Sequence, residues 1–167
     1  MANTYQLITS STVGSGGAAN IDLTSIPSTY TDLILFTSLR CTNTSSNGVY
    51  ITFNGSGSSY SQKYLVATGG VTASGVGGAI IHRMVDTNAT ANTFSNSLSY
   101  IPNYASSNHK PVLTDTVNEN NAQAALMNIN AELWSDTAAI NRITITPASG
   151  GDIAQYSTAY LYGIKNS

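Results

Sequence analysis

Gly48-Val49-Tyr50-Ile51-Thr52-Phe53-Asn54 is the stretch that decides the fold. Val49, Ile51 and Phe53 fall on one side of an extended backbone, and Tyr50 and Thr52 on the other, because successive strand side chains point to opposite faces. That is the pattern of a half-buried strand. Asn54-Gly55-Ser56-Gly57 then closes it with turn chemistry. Working outward, the same period of two recurs. Ile143 and Ile145 alternate with Thr144 and Thr146, and Thr158, Tyr160, Tyr162 and Ile164 alternate with Ala159, Leu161 and Gly163. Val49, Ile51 and Phe53 are expected to share one core with Leu33, Leu35, Ile143 and Ile145.

Other runs are less simple. Leu33-Ile34-Leu35-Phe36 and Ala79-Ile80-Ile81 are apolar on both sides and read as central strands. Thr93, Ser95, Ser97 and Ser99 share a face opposite Phe94, Leu98 and Tyr100, so the hydroxyl face reads as solvent-facing or as a hydrogen-bonded contact. Residues 122–134 admit a helix with Leu126, Ile129 and Leu133 on one side. They also admit a strand with Met127, Ile129, Ala131 and Leu133 inside and Asn128, Asn130 and Glu132 outside. The two asparagines and the surrounding strands favour the second. Gly14-Ser15-Gly16-Gly17, Thr68-Gly69-Gly70, Ser74-Gly75-Val76-Gly77-Gly78 and Ala148-Ser149-Gly150-Gly151 read as turns and loops. Short strands so punctuated point to an antiparallel sandwich or barrel. Residues 1–167 read as one domain, with residues 1–13 an N-terminal arm or a first strand.

Charge is scarce. Asp, Glu, Lys and Arg make up 8% of the 167 residues while apolar types make up 41%, against about 25% charged in an average domain. The six cations, Arg40, Lys63, Arg83, Lys110, Arg142 and Lys165, are scattered. A nucleic-acid binder needs them clustered to displace phosphate counterions, so no nucleic-acid partner is expected. The opening MANTYQLITSS has neither the basic segment nor the apolar segment of a secretion signal. No apolar run approaches the roughly 20 residues of a membrane helix. Synthesis in a cytoplasm, without a membrane partner, is the expectation.

No catalytic constellation is legible, and neither a cofactor nor a metal is expected. His82 and His109 stand in different segments without metal-ligand spacing, and His82, after an apolar run, reads as a core-edge histidine. The lone Cys41 reads as a small buried hydrophobe. A glycosidase pair would have to come from Glu132 with Asp136 or Asp115, and only their existence suggests it. Asn-x-Ser/Thr patterns at Asn43, Asn54 and Asn88 are what chance produces in an Asn/Ser/Thr-rich chain. The one positive signal is aromatic: ten tyrosines against one tryptophan. Tyr recurs at interfaces and on sugar-binding faces. Tyr100 and Tyr104, beside the polar loop ending at His109, are the candidate ligand or interface residues.

The opening TYQLITSSTVGSGGAANIDLTSIPSTYTDLIL resembles a family of small tailed-bacteriophage virion structural proteins. The resemblance continues through Ile51-Thr52-Phe53-Asn54-Gly55 with Tyr60-Ser61, and through Ser99-Tyr100-Ile101-Pro102-Asn103-Tyr104-Ala105. It ends with Leu133-Trp134-Ser135-Asp136-Thr137-Ala138-Ala139-Ile140, Ile143-Thr144-Ile145-Thr146-Pro147 and the closing Tyr162-Gly163-Ile164. It implies a jelly-roll-like β-sandwich that assembles as a homo-oligomer, often a trimer. It also implies a non-enzymatic role in the virion, as a capsid decoration (cement) subunit held on the major capsid protein or as a tail-fibre piece recognising host polysaccharide. Such a protein is made in the host cytoplasm and released by lysis. Compactness without a shaft-forming repeat favours the decoration subunit.

Overall fold

A computed structural model describes residues 4–44, 48–68, 71–77, 80–119 and 126–165. Twelve strands run in chain order: β1 (Tyr5–Thr12), β2 (Ile21–Leu23), β3 (Asp32–Leu39), β4 (Gly48–Phe53), β5 (Tyr60–Thr68), β6 (Val71–Gly77), β7 (Ile80–Arg83), β8 (Ser95–Ile101), β9 (Lys110–Asn118), β10 (Leu126–Trp134), β11 (Ile143–Pro147) and β12 (Thr158–Ile164). They form two antiparallel sheets, one of eight strands ordered β1-β12-β3-β8-β9-β10-β5-β6 and one of four ordered β2-β11-β4-β7. Leaving out β5, β6, β9 and β10 gives β1-β12-β3-β8 facing β2-β11-β4-β7. Along the chain these eight strands change sheet at every step except from β4 to β7, which pair within the four-stranded sheet, and this is the jelly-roll arrangement. The remaining four strands are two excursions from that roll. They pair in the order β9-β10-β5-β6 and widen the first sheet beyond β8.

The core lies between the sheets of the roll. Val49, Ile51 and Phe53 of β4, Leu33 and Leu35 of β3, and Ile143 and Ile145 of β11 belong to one buried cluster, as the alternation predicts. Their register explains the shared face: Ile143 pairs with Phe53 and Ile145 with Ile51. Phe53 packs edge-on against Trp134, with ring centroids 5.5 Å apart, and Tyr60 stacks on the same indole at 6.3 Å. The Phe53 amide donates to the Tyr60 hydroxyl at 2.7 Å, while the buried indole Nε1 of Trp134 has no partner. In β12, Ala159 and Leu161 are fully buried. Gly163 is required by contact, since a Cβ there would sit 2.3 Å from the Tyr30 ring.

Of the two readings for the N-terminus, the first strand holds for residues 5–12, which pair with β12. Other readings change. Residues 71–77, including Ser74 to Gly77, are strand β6 rather than a loop; Gly69, Gly70, Gly78 and Ala79 lie outside the described residues. The Ile80-Ile81 run belongs to β7, at the edge of the four-stranded sheet instead of its centre. Residues 126–134 are a strand, but its faces are the reverse of the expectation. Asn128, Asn130 and Glu132 are buried, while Met127 and Ile129 are exposed at 49% and 47%.

Candidate functional site

The reversal in β10 extends over its neighbours. On the side facing β7, the strands β8, β9 and β10 present Ser97, Ser99, Thr114, Thr116, Asn118, Asn128, Asn130 and Glu132, all buried. These residues bond to one another. His82 Nε2 lies 2.6 Å from Ser99 Oγ, and Ser99 Oγ lies 2.8 Å from Thr114 Oγ1. Thr114 Oγ1 donates to Glu132 Oε2 at 2.8 Å, Asn130 to the other carboxylate oxygen at 3.1 Å, and Asn128 to Asn130 at 2.8 Å. Beside this chain, Thr116 donates to Ser97 and Asn118 to the Met84 carbonyl. Register puts the rungs level: Ser99 pairs with Thr114 across β8–β9, and Ser97 with Thr116.

The direction of the protons follows from the acceptor end. Thr114 gives its hydrogen to Glu132, so Ser99 donates to Thr114. The Ser99 proton being used there, His82 donates its Nε2 hydrogen to Ser99. His82 is thus the neutral tautomer with Nδ1 bare, and Nδ1 is a buried atom with no partner. Complete burial pulls the His82 pKa down to about 3. A serine nucleophile needs its own proton aimed at the histidine. Here the bond runs the other way, and Ser99 is buried. His82 was expected at the core edge, and it lies fully inside the ladder.

The carboxylates do not converge. Glu132 points into the ladder while Asp115 is exposed on the opposite face of the sheet, since odd and even residues of β9 and β10 separate by face. Among the described residues no cluster of His, Cys, Asp and Glu is arranged to hold a metal. Cys41 is fully buried, and burial pushes its thiol pKa up.

The three aromatic and histidine candidates are not brought together. Tyr104 is 0% exposed, part of the core cluster, with its hydroxyl donating to the Pro27 carbonyl. It is a core residue, which corrects its reading as a ligand or interface residue. The sequence signal that misled was its polar neighbours, which line the outside of the same turn. His109 is exposed at the end of that loop. Lys110 holds the loop from inside, its ammonium donating to the carbonyls of Ser106 (2.9 Å), Asn108 and Asp136 (3.4 Å); burial lowers its pKa. Tyr100 is half-buried on the outer face, donating to Asp32 at 2.9 Å, and that carboxylate raises the Tyr100 pKa.

The outer face of the eight-stranded sheet is what sequence reasoning missed. Cross-strand register builds it in level rows. One row runs Tyr160, Phe36, Leu98, Asp115, Ile129, Leu65, and the next runs Tyr162, Ile34, Tyr100, Leu113, Ala131, Lys63. Of the eleven large apolar side chains exposed among the described residues, all but Tyr50 and Tyr156 sit on this face. A groove of about 460 Å³ runs along it past Tyr100, Leu113, Ala131 and Lys63, and a smaller one of about 150 Å³ lies between Leu65, Met127 and Ile129. Comparison with protein-family models, with curated proteins and with solved structures gives no match to this chain.

Proposed function

We propose that this chain is a non-enzymatic structural subunit of a tailed-phage virion, a capsid decoration (cement) protein that assembles as a homo-oligomer on the outer head surface. The observation that carries the reading is the division of the widened sheet. Its chemically capable side chains, His82, Ser99 and Glu132, are bonded together and buried. The face it offers outward is apolar and nearly uncharged. A surface of that kind binds by burial, and patches of this extent mark protein contact sites. The resemblance of the chain to small phage virion proteins supplies the setting, the major capsid protein as the neighbour and a trimer as the form of the oligomer. Contacts made by burial and neutral hydrogen bonds are hardly screened by salt, so attachment holds at near-molar ionic strength.

A subunit that binds only the assembled shell stabilises it by mass action. Particles made without this protein should therefore release DNA at a lower temperature than complete particles. Unchanged thermal release together with lost adsorption to host cells would overturn the decoration reading. It would favour a tail-fibre protein recognising surface polysaccharide.

A further inference from the structure

We infer that the outer face of the eight-stranded sheet, centred on β10, is covered by a second copy of this chain, with Asp115 of one copy set against Lys63 of the other. The inference deepens the oligomer reading above by naming the surface, and it is independent of where on a particle the oligomer sits.

The extent of the face is the first argument. From Leu7 on β1 to Leu65 on β5 it crosses seven strands. At roughly 4.8 Å per strand and roughly 20 Å along them, the face covers on the order of 700 Å². That is close to the roughly 800 Å² per partner of a standard protein interface. A monomer's largest apolar patch is usually about 300–600 Å². Leu65 at 53% and Leu113 at 50% exposure leave about half of each residue in water. The polar ladder on the inner face makes this costly arrangement the fixed one: turning β10 over would expose Ile129 to the ladder and strand Glu132 outside.

Charge is the second argument. Among the described residues, the rows from Tyr160 and Tyr162 to Leu65 and Lys63 hold two charged side chains, one acid and one base. Asp115 is on β9 and Lys63 on β5, with β10 between them. A foreign partner would need its own matching pair. A second copy already has it. In a two-fold contact each Asp115 meets the other copy's Lys63, and in a closed ring each Asp115 meets the Lys63 of the next copy. The uncharged remainder buries against itself, and the grooves beside Tyr100 and Met127 receive side chains from the facing rows.

The test uses the purified full-length chain in sedimentation velocity across a concentration series. The wild type should sediment as an oligomer. Asp115→Lys alone leaves two bases on the face and Lys63→Asp alone leaves two acids, so each should weaken self-association by about tenfold or more. Mixing the two variants restores the acid-base match at both sites of a two-fold contact and at two of the three contacts of a trimer, so the mixture should assemble more tightly than either variant alone. Restoration in the mixture reads contact between chains, which a role within one chain cannot produce. Both positions are exposed, and Leu65→Ser, which removes apolar area without altering charge, serves as a further variant should either charge change lower solubility. An oligomer unchanged by all three substitutions would overturn the face while leaving the oligomer reading intact. A wild-type chain that stays monomeric at every concentration would overturn both.

Discussion

The jelly roll and the strands added to it obey opposite rules. In the roll, β4 and β11 put Val49, Ile51, Phe53, Ile143 and Ile145 inside and Tyr50, Thr52 and Thr144 outside. In the addition, β9 and β10 put Thr114, Thr116, Asn128, Asn130 and Glu132 inside and Leu113, Val117, Met127 and Ile129 outside. The alternation has the same strength in both regions. Alternation therefore states which residues share a face, and something else decides which face is buried. In the roll that something is the opposing sheet, whose apolar side chains exclude water. In the addition it is the bonding of polar side chains to one another, from His82 to Asn128, which leaves His82 Nδ1, Asn118 Oδ1 and Asn128 Oδ1 as buried atoms without a partner. A buried polar network of this kind stands only when its members are bonded.

The comparison can be broken first at the roll. Phe53→Ala removes the ring that Tyr60 and Trp134 pack against. It should cost roughly 3–5 kcal/mol in urea unfolding, as large aromatic truncations in cores do. A loss under about 1 kcal/mol would place the apolar core elsewhere.

Acid sharpens the comparison next, because it acts on the ladder and spares the apolar core. The folded pKa of His82, about 3, lies below its ordinary value of 6.5. Between those values the unfolded chain takes up a proton that the folded chain refuses. His82 thus favours unfolding as pH falls from 6.5, at about 1.4 kcal/mol per pH unit for this one group, and its effect levels off below the folded pKa. Denaturation titrations at pH 6.5 and pH 5 should differ by about 2 kcal/mol more in the wild type than in His82→Gln. Equal slopes would mean that the imidazole is not held neutral.

A smaller effect separates the two faces of the added strands. Thr114→Val deletes the hydroxyl that joins Ser99 to Glu132 and leaves buried polar atoms unpartnered. It should cost about 1–3 kcal/mol. Ile129→Ser, three strand positions from Glu132 and on the outer face, should change the folding stability of the separated chain by less than about 0.5 kcal/mol. Reversed magnitudes would put Ile129 in the core and Thr114 in solvent.

Much of the fold is legible in the residues. The strands of the roll, their turns and the core set from Leu33 to Ile145 follow from period two and from glycine and asparagine turns. Where the reading fails, it fails for one reason. Asn128, Asn130 and Glu132 look solvent-facing because an isolated strand has nothing to offer them. Glu132 finds Thr114 on β9, 18 positions away, Asn130 and Asn128 bond along β10 behind it, and Thr114 is tied onward to Ser99 of β8 and His82 of β7; no local pattern announces this chain. Ser97 and Ser99 carried both possibilities, and their hydroxyls face inward. Tyr104 fails in the same way: its hydroxyl finds Pro27, 77 positions distant. The apolar outer face was invisible because each of its rows draws single residues from six strands.

The orientation of β10 is the central claim, and thiol accessibility tests it most directly. Cys41 is buried and gives a silent background. In the Asp115→Lys chain, where the outer face is open to solvent, a cysteine replacing Ile129 should react with a small thiol reagent nearly as fast as in the unfolded chain. A cysteine replacing Asn130 should stay protected. Rapid labelling at 130 with protection at 129 would contradict the account.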